Sequence, residues 1–211
     1  MTVAIDRPQA PDRQLMCRGV RLEAATIGWN VVEAVIALTA GLTAGSVALT
    51  GFGLDSAIEI AAAGLVLIRL RSALSGQEFN KTRERRALRA IAITFVALAS
   101  YLLADGIGTL LAGSRPHASP VGIGVTAIAL IVMPSLAIAK RRTGRALGNQ
   151  LLVRESAESA LCASLAGTTL VALAVYAATG AAWVDPVAGF VIAGYALKEA
   201  REAWEGEPCE G

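Results

Sequence analysis

Six long apolar blocks, each separated from the next by a short polar or basic break, leave this chain little choice of fold. They run near Ala25–Ala44, Ser46–Leu70, Leu88–Leu111, Val121–Ala139, Leu151–Ala178 and Trp183–Ala200. Each is close to the ~20 residues that an α-helix needs to cross the hydrocarbon core of a bilayer. Of the 211 residues 55% are hydrophobic and only 17% charged. A soluble domain carries about a quarter charged residues and alternates apolar with polar positions. The expectation is therefore an all-α polytopic membrane protein of six transmembrane helices: residues 1–24 form an N-terminal tail, residues 25–201 the membrane domain and residues 202–211 a short C-terminal tail.

The basic residues orient it. All of the 19 Lys and Arg except Arg115 fall in the N-tail, in the connections between spans two and three and between spans four and five, or at the C-terminal end. Positive charge collects on the cytoplasmic side, so both termini are expected there, in a multi-pass protein of the cell membrane. This topology signal accounts for the basic runs without nucleic acid as a partner. Arg7, Arg13, Arg18 and Arg21 precede the first span with no cleavable apolar leader, which makes that span an uncleaved anchor. Trp29, Tyr176, Trp183 and Trp204 fall near helix ends, where interfacial anchors sit. Cys17, Cys162 and Cys209 are too few and too scattered for a disulfide framework or a CxxC zinc site.

Ionised side chains at mid-membrane cost at least about 2.5 kcal/mol each, so those present need a reason. Span two carries Asp55 and Glu59, four residues apart and so on one helix face. Span five repeats the spacing with Glu158 and Cys162, with Glu155 one turn earlier on the adjacent stripe. Two helices with two anionic or thiol donors each can make a four-ligand site for a divalent cation. Gly51, Gly53, Ser56, Ala57, Ser156, Ala157 and Ser159 surround these groups, and small residues let helices approach closely. Other polar positions are weaker candidates. Asn30 and Glu33 fit an entry path, or snorkel to the interface. Asp105 lies toward the outer end and His117 in the outer turn. Asp185 opens span six, where an acid is favourable for structural reasons alone, and Gly41 with Gly45 indicates helix packing.

At these residues the chain resembles the cation diffusion facilitators, a family of divalent-metal/proton antiporters. The resemblance rests on Asn30, on Gly45, Ser46, Ala48 and Leu49 ahead of the Asp55/Glu59 pair, on Glu155, Glu158 and Cys162, and on the run Trp183-Val184-Asp185-Pro186-Val187-Ala188-Gly189. It implies metal ligation by Asp55, Glu59, Glu158 and Cys162. The family uses aspartates with or without histidine, so Asp-Glu-Glu-Cys is a departure. A thiolate favours softer ions such as zinc, cadmium or cobalt, and three carboxylates also accept manganese or iron. With only residues 202–211 after the sixth span, the resemblance implies a minimal form lacking the cytoplasmic C-terminal domain, its homodimer held by membrane helices.

The function expected from this resemblance is metal efflux by alternating access, from a midplane site between spans two and five. Protons are the second partner, because carboxylates must deprotonate to bind a cation. The metal is substrate, with no resident cofactor and no enzymatic activity expected. Two alternatives use the same acids: a non-transporting membrane metal sensor or modulator, and a proton-coupled exporter of another small cation.

Overall fold

The structure is a computed structural model that describes residues 10–75 and 81–205, so Arg7 and Cys209 lie outside the described residues. The described residues form six α-helices and no strand: α1 Ala10–Ala44, α2 Val47–Leu74, α3 Lys81–Ala112, α4 Pro120–Ala146, α5 Gln150–Thr179 and α6 Val184–Glu205. The first five are long and apolar enough to cross a membrane. α6 spans 22 residues and is charged at both ends, yet it belongs to the same bundle, packed along α3 and against α2 and α5. Valines, leucines and isoleucines such as Val35, Leu42, Ile93, Leu111, Ile131 and Val171 face outward, the reverse of a soluble surface and suited to lipid. The chain is a polytopic membrane protein.

Helix ends follow local chemistry. Ser46, Ser119 and Asn149 are N-caps whose side chains accept from Leu49, Gly122 and Leu152 N–H groups, satisfying donors that have no partner within the helix. Pro120 takes the first turn of α4, where its missing N–H costs nothing. The α1–α2 hairpin turns on Gly45, whose φ of 65° suits a residue without a Cβ. At Gly41 an added Cβ would stand 2.7 Å from the Thr50 backbone nitrogen. Gly41 thus packs the two arms of this hairpin together, while Gly45 makes its turn.

The helices overrun the expected spans, and the extensions are informative. α1 begins well before Ala25, which brings Glu23 into the bundle, fully buried. α4 continues to Ala146, and Lys140, expected in a solvated basic connection, is instead fully buried between α1 and α5. A second correction concerns Trp29. It is not a free interfacial anchor, because its indole N–H donates to Glu33 Oε2 at 2.5 Å. Tyr176 likewise donates its hydroxyl to the Pro116 carbonyl. Trp183 and Trp204 are exposed as anchors should be.

Three pairings build the bundle: α1 along α2, α4 along α5, and α3 along α6, with α2 touching α1, α3, α5 and α6. α2 is thus the central helix. Its N-terminus is held from across the bundle by Asp185, which accepts from Ser46 Oγ at 2.5 Å and from Val47 N–H at 2.7 Å. Asp185 therefore does more than open its own helix. Replacing it by alanine leaves a buried backbone N–H unpaired, which costs about 1–3 kcal/mol. Asp185→Ala should lower the thermal unfolding midpoint in detergent, Asp185→Asn should lower it less, and equal midpoints for both variants and the wild type would remove this role.

Candidate metal site

Asp55, Glu59, Glu158 and Cys162 line one cavity of about 30 Å³ between α2, α3, α5 and α6. α2 and α5 lie against each other, and the four-residue spacing turns each donor pair toward the seam. Asp55, Glu59 and Cys162 are buried and Glu158 is half-buried. The space suits one water molecule or one dehydrated ion. Phe95, Leu161, Leu165 and Tyr195 make up much of the remaining wall and keep it apolar.

Among the described residues, no three His, Cys, Asp or Glu side chains already converge as a metal cage. The arrangement is a donor-lined pocket whose side chains must rotate inward to coordinate an ion at ~2 Å. Glu59 offers an oxygen for this purpose, since its Oε2 is buried without a hydrogen-bond partner. Leaving such an atom unpaired is expensive, and either a proton or a cation removes the expense. Its Oε1 accepts from Ser159 Oγ at 3.4 Å.

Two acids join the four. Glu33 of α1 is fully buried, accepts from Ser56 Oγ at 2.6 Å, and stands 3.8 Å from Cys162 Sγ. It stands behind the cavity lining, against Ser56 and Cys162, and does not snorkel to an interface. Its signal in sequence was a carboxylate within an apolar block, the same signal that marked Asp55. Glu199 of α6 lines the same cavity and has a buried, unpartnered Oε1. It was missed because it sits near a helix end between Lys198 and Arg201, where charge is ordinary. Asn30 is buried with both amide atoms unpartnered.

The other polar candidates stand apart from the cavity. Asp105 accepts from Tyr101 near the other end of α3, His117 is exposed, and Asp185 is engaged at the α2 N-terminus. Glu155 lies two percent exposed beside Lys140.

A larger cavity of about 400 Å³ adjoins the small one and shares Ala62, Phe95, Glu158, Leu161 and Glu199 with it. It continues past Glu155 to Arg154, Glu202 and Glu205, toward the end of the bundle where the basic connections lie. Five glutamates and one arginine line this vestibule. Glu155 is paired with Lys140, Glu202 with Lys198 and Glu205 with Arg201, so Glu158 and Glu199 are the acids that give it an attraction for cations. The half-buried Glu158 stands where vestibule and inner cavity meet.

Comparison with known proteins agrees with this geometry at the family level. None of the curated proteins compared with the chain matches it significantly. The model of the cation efflux transmembrane domain matches residues 24–205, which takes in α1 from residue 24, the five other helices and every residue of the cavity. With that match over most of its length, the chain belongs to the cation efflux family.

Proposed function

We propose that the chain exports a divalent metal cation in exchange for protons, with Asp55, Glu59, Glu158 and Cys162 as the ligands and Glu33 as a neighbouring acceptor. The observation that carries this reading is the single cavity lined by all four donors at the inner end of an acidic vestibule. The vestibule opens toward the basic end, which the distribution of Lys and Arg assigns to the cytoplasm. A cytoplasmic ion is drawn in by the glutamates, meets Glu158 first, and passes to Glu59, Asp55 and Cys162.

Proton exchange follows from the ligand chemistry. A carboxylate or thiol coordinates a cation only after losing its proton, so metal entry releases protons and protonation releases metal. Between these events the helices rock, closing the vestibule and opening the opposite end. The site stays fixed while access alternates. No bond in the substrate is made or broken, so the activity is transport without catalysis.

The donor set selects the ion. Cys162 brings one soft donor to three carboxylates, which suits zinc, cadmium or cobalt and still tolerates manganese or iron. The protein acts in the cell membrane with both termini inside, and as a homodimer through its membrane helices.

Reconstituted protein should drive uptake of zinc, cadmium, cobalt, manganese or iron into liposomes whose lumen is more acidic than the bath. Glu158→Ala should reduce the flux at least about tenfold, since even a residue that only supports a metal ligand costs about 10–100-fold when it is removed. Flux of none of the five metals from folded wild-type protein would overturn the transport reading and favour a binding-only role, and competition by an organic cation would point to a different substrate.

Selectivity supplies a separate check. Cys162→Ser removes the soft donor, so cadmium and zinc flux should fall relative to manganese by at least about tenfold. A ratio unchanged in the variant would take Cys162 out of the coordination sphere.

A further inference from the structure

Lys140 is fully buried, and the proposed transport cycle has not used it. Its ammonium lies 3.1 Å from Glu23 Oε2 of α1 and 3.3 Å from Glu155 Oε1 of α5. It also donates to Ser159 Oγ at 3.2 Å, and Ser159 donates onward to Glu59 Oε1 at 3.4 Å. One fixed positive charge is thus two hydrogen bonds from a carboxylate of the metal site. It joins α1, α4 and α5 at one point.

A buried ammonium flanked by two carboxylates is a poor source of net stability, because desolvation of the three charges offsets most of their attraction. Such a group is better explained by what it does to its neighbours. With Lys140 absent, those of the acids Glu23, Glu155, Glu59, Asp55, Glu158 and Glu33 that are ionised would attract a dication with no fixed positive charge opposing them. A divalent ion in that interior would bind tightly and leave slowly, whereas a carrier must bind its ion weakly enough to release it every cycle.

We propose that Lys140 is a tethered counter-cation that weakens metal binding at Asp55, Glu59, Glu158 and Cys162, acting through Ser159 and Glu59, and so sets the rate of release. With the site empty, the ammonium balances the acids and its field reaches Glu59 through the Ser159 hydroxyl. With a dication present, the two cations compete for the same negative field. The repulsion lowers affinity without blocking the cavity, because Lys140 is held outside it by Glu23 and Glu155. Lys140 is a positioning residue, since it does not touch the ion. This inference rests on the proposal that the cavity holds the transported metal.

The test measures cadmium binding to purified full-length protein and cadmium flux in liposomes for four proteins. Lys140→Gln should tighten cadmium binding by about tenfold or more, as loss of a nearby positive charge does in a low-dielectric interior, and lower kcat together with KM. The double variant Lys140→Gln/Glu23→Gln keeps the net charge of the wild type, which protects the fold, and should show the same shift to a smaller degree. Lys140→Arg keeps the charge and should retain wild-type affinity. A merely structural role predicts weaker or unchanged binding in the glutamine variants, with flux falling in proportion to folded protein. Unchanged or weaker binding in the folded double variant, with wild-type flux intact, overturns this inference alone. Absence of cadmium binding and of flux in the wild type overturns the transport reading and this inference with it.

Discussion

The cost of keeping carboxylates inside a bilayer governs this structure more than any other term. Asp55, Glu59, Glu33 and Glu155 are each less than a tenth exposed within a bundle whose outer face is leucine, isoleucine and valine. At about 2.5–3.5 kcal/mol or more per ionised group at the membrane centre, isolated acids would be selected against. Three of them have an alternative to standing alone. Glu33 has Ser56, Trp29 and Cys162, Glu155 has Lys140, and Glu59 has Ser159 on one oxygen only. The oxygen of Glu59 left without a partner is where the interior still has something to gain from a cation or a proton.

Holding those acids together places demands on the rest of the bundle. α2 must approach α1 and α5 closely enough to share a polar interior with both, and its small residues make this possible. Ser56 contributes twice, by its size and by the hydroxyl that reaches Glu33, while still accepting the local geometry of a helical serine bonded to the Phe52 carbonyl. The position of α2 along its own axis is set by Asp185 from α6, which grips Ser46 and Val47. A displacement of α2 by one turn would move Asp55 and Glu59 out of register with Glu158 and Cys162. The cap at one end of the bundle and the donors in its middle therefore belong to one mechanical unit.

How much was legible in the sequence divides along a physical line. The six helices could be read because apolar blocks of bilayer length have few other solutions. The pairs Asp55/Glu59 and Glu158/Cys162 could be read because a polar residue amid apolar ones is conspicuous, and their four-residue spacing specifies a shared face. The structure places these four around one cavity. Glu23, Lys140 and Glu199 were not legible, because charges near the end of an apolar block are expected for solvation and topology, and local sequence does not say whether the helix continues past them. Only the packing of α1 against α4, and of α4 along α5, turns Lys140 from a topology signal into a buried ion pair. Trp29 was misread for the same reason, since a helix-end tryptophan looks alike whether it meets lipid or a buried glutamate.

The two cavities and the buried ammonium bear together on how a membrane bundle of this kind would both take up an ion and let it go. An acidic vestibule raises the local concentration of any cation, which helps entry and hinders departure in equal measure. An apolar wall of Phe95, Leu161, Leu165 and Tyr195 around the inner donors strengthens every charge interaction there by lowering the effective dielectric. Both features push toward tight binding, and a site that only binds does not transport. Release needs an opposing term that is present in every cycle, does not occupy the cavity, and does not depend on outside solutes. A positive charge tethered behind Ser159 has those three properties. On the proposed reading the acids and Lys140 act as one device: the acids would make the bilayer interior accessible to a dication, and the ammonium would keep that interior from becoming a trap.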